Sequence, residues 1–94
     1  MQDERFEWHD RKARTNLRDH GVTFEEAARV FDDCRAVDSF DDSMDYDEER
    51  SIVIGLAGSR LLVVIYTMRG ERIRIISARE PGPHEQKRYV DQGR

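Results

Sequence analysis

Between Arg72 and Glu80 the chain reads Arg-Ile-Arg-Ile-Ile-Ser-Ala-Arg-Glu, which sets Arg72 and Arg74 at alternate positions of a β-strand pattern and Arg79 where the strand gives way to a loop. Successive side chains of a strand point to opposite faces, so Ile73 and Ile75 share one face and the guanidinium groups of Arg72 and Arg74 share the other. Arginine is always charged and offers a rigid fork of donors that matches phosphate geometry. With Arg79 just beyond them, these groups offer a candidate cradle for a phosphodiester. The competing reading is a solvated sheet face whose arginines form surface ion pairs of little energetic value.

The rest of the composition narrows what such a cradle would serve. The 94 residues carry 38% charged side chains and a formal net charge of −4, and uniform acidity would argue against a nucleic-acid partner. The charge is not uniform: nine acidic residues and one arginine lie from Asp32 to Glu49, against five arginines and one glutamate from Ser51 to Arg79. The first helix adds Arg11, Lys12, Arg14 and Arg18. Only two of the sixteen basic residues are lysine, a bias that suits bidentate recognition over diffuse charge. Cys34 is the single cysteine, so neither an internal disulfide nor a thiolate zinc site is expected. The acidic run from Asp38 to Glu49 lacks the spacing of a calcium loop, and no metal or cofactor is expected. No apolar run reaches the ~20 residues of a membrane span, and the first residues lack the apolar stretch of a signal peptide. A cytoplasmic protein of one domain, residues 1–94, fits these features.

The elements that must position the arginines follow from periodicity. Phe6-Glu-Trp8 reads as a short strand or an extended lead-in. A helix spans roughly Asp10 to Asp19, with Ala13 and Leu17 expected on its buried side and Gly21 as its left-handed terminator. Thr23-Phe-Glu-Glu26 is a capping box opening a second helix to about Phe31, with Ala27, Val30 and Phe31 as its apolar stripe. Strands are expected over Ala36–Phe40, Ser51–Ala57, Leu61–Tyr66 and the arginine run, with an acidic loop from Asp41 to about Glu48. Leu61 to Tyr66 is the most apolar run and belongs at the sheet centre, covered on both faces. Pro83 suits the first position of a last helix carrying Tyr89 and Val90. The fold class is α+β: two N-terminal helices and a C-terminal helix packed on an antiparallel sheet.

Phe6-Glu-Trp8, Lys12-Ala13, Asn16, His20-Gly-Val-Thr-Phe-Glu-Glu-Ala27, Phe31-Asp-Asp33, Glu49 followed by Ile54-Gly55, and Arg74-Ile-Ile-Ser-Ala-Arg79 together resemble the BrnT family. The resemblance runs over nearly the whole chain. It implies a RelE-like fold, RNA cleavage that halts translation, and membership of a type II toxin–antitoxin module. It also implies a DNA-binding, BrnA-like antitoxin as partner, DNA contact only through the antitoxin complex, and a 2:2 heterotetramer. Two departures stand out: His9 occupies a position that is usually acidic in the family, and the overall balance is unusually acidic.

Metal-independent RNA cleavage proceeds by attack of a 2′-hydroxyl on the neighbouring phosphorus, which needs a base, charge stabilisation on the phosphoryl oxygens and an acid at the leaving 5′-oxygen. Arg74 and Arg79 are the candidates for charge stabilisation, with Arg72 as a third. His20 is the first candidate for acid or base, since histidine titrates near physiological pH, although a histidine at a helix C-terminus also serves the dipole. His9 and His84 are weaker candidates. Glu49 could orient the site and Arg50 could bind phosphate, or the two could form a structural ion pair. Lys12 could contact phosphate or be an ordinary exposed helix lysine. Trp8 could stack on a base or belong to the core or to the antitoxin interface, and Tyr89 could donate a proton, stack on an RNA base or cap the core. Two function classes result: a ribonuclease toxin, and a non-catalytic interaction protein that only binds its antitoxin. A DNA-binding regulator acting alone is disfavoured, because the second helix opens Phe24-Glu-Glu instead of with basic residues.

Overall fold

The most apolar run of the sequence does lie in the middle strand of the sheet. In the protein, a computed structural model describing residues 1–41 and 50–92, the strands are β1 (Phe6–Glu7), β2 (Val37–Asp41), β3 (Arg50–Ala57), β4 (Arg60–Arg69) and β5 (Arg72–Arg79). They are ordered β1-β5-β4-β3-β2. The four longer strands form an antiparallel meander, and its last two turns pass through Gly58 and Gly70 at φ 65° and 61°, a region that glycine enters without steric cost. The expected acidic loop falls on residues outside those described, apart from Asp41, which ends β2.

The sheet is mixed, and this corrects the expectation of a purely antiparallel one. β1 runs parallel to β5, with Phe6 opposite Ile73 and Glu7 opposite Arg74. No hairpin links these strands, so no tight turn dictates their relative direction. The direction is set instead by a hydrogen bond from the Ile73 amide to the Arg5 carbonyl, 2.8 Å, and by Phe6 packing on Phe31 with ring centroids 5.6 Å apart.

Helix α1 (Asp10–His20) stops at Gly21, whose φ of 69° lets its amide turn back to the Leu17 carbonyl. Helix α2 (Phe24–Ala28) is capped by the Thr23 hydroxyl, which accepts from the Glu26 amide at 3.0 Å. The Glu26 carboxylate does not complete the box; it pairs with Arg60 at 3.1 Å. The second helix is also shorter than expected, because a tighter 3-10 turn over Arg29–Asp32 follows it. Helix α3 (Pro83–Asp91) is the last element. No helix among the described residues is long and apolar enough to cross a membrane.

Alternation divides the sheet into two faces. Val53, Ala57, Leu62, Val64, Ile75 and Ala78 join Phe6, Trp8, Val22, Phe24, Ala27 and Val30 in the main core beneath α1 and α2. Gly55 faces this side because any Cβ there would come within 2.9 Å of Val30. Ile54 and Val63, directly paired, are buried on the opposite face, where α3 packs against β3. Leu61 and Ile65 on that face are only half-buried, so the central strand buries Leu62 and Val64 completely on one side and is partly covered on the other.

Of the two apolar residues expected on the buried side of α1, Ala13 packs against the core and Leu17 does not. Leu17 is 48% exposed, whereas Asn16 is 6% exposed. The Asn16 amide donates to the carbonyls of Val22 and Ala78, each at 2.9 Å, and its oxygen accepts from the Ala78 amide at 3.1 Å. β1 pairs with β5 only at Ile73 and Arg74, which leaves the edge of β5 open at Ala78, and the side chain of Asn16 fills that gap. Asn16→Ala strands these backbone groups in an apolar setting, at about 3 kcal/mol in total. Urea unfolding should register a loss of that size, against well under 1 kcal/mol for Leu17→Ala on the exposed face.

Candidate active site

In a regular strand, residues five apart point to opposite faces, so Arg74 and Arg79 would not share one. A bulge changes this. Thr67 pairs with Arg74 and Tyr66 with Ile75, but Ile65 then pairs with Ser77 and Val63 with Arg79, so Ile76 is the extra residue. Val63, Ile65 and Thr67 alternate on one face of β4, and their partners Arg79, Ser77 and Arg74 therefore share that face. β5 extends through Arg79, so this arginine sits on the strand itself.

Each arginine of the run has a partner. Arg74 donates to the Glu7 carboxylate at 2.6 Å, both side chains largely buried. The Nε of Arg72 donates to the Asp3 carbonyl at 2.7 Å. Arg79 forms a two-pronged pair with Glu85 of α3, at 2.8 and 2.7 Å. The Arg79 guanidinium, helped by the Gly82 amide, holds the Glu85 carboxyl down to about 2, and the carboxylate in turn holds Arg79 above its ordinary value.

Two open clefts flank the start of α1. One, of about 440 Å³, brings Arg74 together with Glu7, Trp8, His9 and Asp10. The other, of about 320 Å³, is lined by Lys12 and His20 on α1 and by Ile76 and Ser77 at the bulge. The structure thus assembles Arg74 with Glu7 and His9, and separately Lys12 with His20.

The other candidates lie elsewhere. Trp8 is 6% exposed and packs edge-on against Phe24 with centroids 5.8 Å apart, which makes it a core residue at the wall of the Arg74 cleft. Tyr89 donates to Asp33 at 2.6 Å; burial and the Asp33 carboxylate push its hydroxyl up to about 12. Partial burial pushes Asp33 upward, but the Tyr89 hydroxyl and the amides of Leu56 and Arg35 outweigh it and hold that carboxyl below its ordinary value. Tyr89 and Glu85 are therefore the two tethers of α3. Arg50 opens β3 opposite Asp41, two strands away from β5. His84 is exposed at the start of α3, and Glu49 lies outside the described residues. Glu7, which pairs with Arg74 and lines its cleft, carries little signal in the sequence beyond its alternation with Phe6 in a two-residue strand.

A family model described as the ribonuclease toxin BrnT of type II toxin–antitoxin systems matches residues 8–85. The chain belongs to the BrnT family. Its type II class implies a protein antitoxin as partner. The crystal structure of the Brucella abortus ribonuclease toxin BrnT is similar at a TM-score of 0.64 and 23% identity, covering 85% of this chain and 99% of that one. That likeness speaks to fold. No curated protein matches the chain. The matched BrnT span includes Trp8, Lys12, His20, Arg74, Arg79 and Glu85, and it ends before Tyr89.

The tethers of α3 respond to acid in a direction that can be worked out. Glu85 falls from an ordinary value of 4.5 to about 2 in the folded chain, so the pair with Arg79 stabilises fully above 4.5 and is lost as pH falls through that window. Asp33 is shifted in the same direction. Amide resonances of α3 followed by NMR should shift between pH 4.5 and about 2, and Glu85→Gln should remove the Glu85 part of that titration.

Proposed function

We propose that this BrnT-family chain is a metal-independent endoribonuclease that arrests translation and is held inactive by a DNA-binding antitoxin. The observation that carries this reading is the bulge at Ile76, which gathers Arg74 and Arg79 onto one sheet face. Cleavage begins with loss of the 2′-hydroxyl proton, and the 2′-oxygen attacks phosphorus as the 5′-oxygen leaves. Arg74 and Arg79 stabilise the charge that builds on the phosphoryl oxygens. Both guanidinium groups already hold carboxylate oxygens, Arg74 through one contact to Glu7 and Arg79 through two to Glu85, which supports oxyanion binding here, and RNA phosphate competes with Glu85 for Arg79. Lys12 and His20 hold the neighbouring backbone in the second cleft, while Arg72 and Arg50 add positive charge along the strand path.

The fold is of RelE-like type on this reading, and the protein works in the cytoplasm. The antitoxin covers the arginine face, where the half-buried Ile52, Leu61 and Ile65 lie between the charged edges, as two toxin and two antitoxin chains. A second reading, a non-catalytic partner that only binds its antitoxin, is favoured by the intramolecular pairing of Arg74 and Arg79 and by the net charge of −4.

Induction of the chain in bacteria, with primer extension over total RNA, separates the two. The ribonuclease reading expects growth arrest and new 5′ ends, and a loss of roughly 100- to 1,000-fold in cleavage rate for Arg74→Ala or Arg79→Ala with antitoxin binding retained. Normal growth and intact RNA from soluble, folded protein would favour the second reading.

A further inference from the structure

We infer that Glu7 is the general base of the reaction and His9 its general acid, so that chemistry takes place in the cleft between β1 and the start of α1. This rests on the ribonuclease reading above and names the acid and base within it. Glu7 points to the arginine face because its neighbour Phe6 is in the main core and strand side chains alternate. Its register partner is Arg74, and the contact is made through one oxygen only, Oε2. Among the described residues Oε1 accepts no other hydrogen bond. One oxygen is thus held by the guanidinium while the other has no hydrogen-bond donor among those residues, in a residue that lines the cleft.

Asp10 lines the same cleft but is a poorer base. It is mostly exposed, and its Oδ1 is taken by the Met1 ammonium at 3.1 Å. His9 precedes α1 without using its imidazole as a cap, so the ring is available to a ligand. Glu49 lies outside the described residues, and His20 lines the second cleft, away from the Arg74 pair.

A phosphodiester seated on Arg74 would therefore have a carboxylate within reach of its 2′-hydroxyl. Glu7 takes the 2′-proton, the freed oxygen forms a bond to phosphorus, and the bond from phosphorus to the 5′-oxygen breaks. The imidazolium of His9 passes its proton to the departing 5′-oxygen. The products are a 2′,3′-cyclic phosphate and a 5′-hydroxyl, with the proton balance restored from water.

The test is single-turnover cleavage of a short single-stranded RNA by the purified chain, with end-group analysis. Glu7→Gln keeps an oxygen that can accept from Arg74 yet cannot take a proton at neutral pH. It should cut the chemical step about 100- to 10,000-fold, leave RNA affinity and thermal unfolding close to the parent, and keep antitoxin binding. Glu7→Ala should regain part of the lost rate in formate, a carboxylate small enough to enter the cleft, whereas a purely structural role gives no such rescue. His9→Gln should slow cleavage of a normal 5′-oxygen leaving group far more than that of an activated aryl leaving group. An active parent with undiminished Glu7→Gln, or a slow but folded Glu7→Ala that formate fails to rescue, overturns the assignment alone. A folded parent that cleaves no RNA overturns the ribonuclease reading and this assignment with it.

Discussion

The side-chain amide of Asn16 is the joint on which the arginine face depends. β5 leaves its edge unpaired after Arg74, and backbone donors and acceptors buried there need partners. Asn16 supplies them at Ala78 and simultaneously secures the Val22 carbonyl, binding the first helix, the start of the second and the end of the arginine strand at one point. Ala78 lies between the bulge and Arg79. A strand carrying an extra residue has more than one way to continue; fixing Ala78 from the helix side selects the continuation that puts Arg79 on the face that carries Arg74.

The same geometry reconciles an acidic protein with an anion site. Overall charge governs long-range attraction, while capture of a phosphate depends on the local field. Here Arg74 and Arg79 are each matched by a carboxylate, Glu7 and Glu85, so these two guanidinium groups are close to neutralised at rest. Arriving phosphate exchanges with a carboxylate already in place instead of meeting an unshielded patch. Glu85 sits on α3, whose residues are all at least partly exposed, and so it is the carboxylate more readily moved. Glu7 sits on the sheet and is not.

Much of this was legible from residues. The left-handed Gly21, the Thr23 cap, the apolar centre of the sheet and the proline at the head of α3 each rest on a local preference that the sequence displays. What stayed hidden depends on distant partners. A two-residue β1 carries no periodicity, so its parallel pairing could not be read. The doubled Ile75-Ile76 does break the alternation, and in hindsight it marks the bulge. Asn16 and Leu17 exchanged places because a polar side chain can be the buried one when backbone groups across the fold need it. The arginines were legible as a set by type and spacing, but their carboxylate partners were not. Trp8 was open to base-stacking, core and interface readings, and only its packing against Phe24 reveals that it belongs to the core.

Glu7 and Arg74 stand 67 residues apart in the chain, and β1 has no other partner within the sheet. Contacts between such distant segments are slow to form, because the intervening chain must be ordered or looped out first. A polypeptide emerging from the ribosome therefore holds β1 idle until the meander behind it is complete. On the reading proposed here, the cleft that cuts RNA is among the last things the chain acquires, and for most of its own synthesis the message being translated is safe from its product.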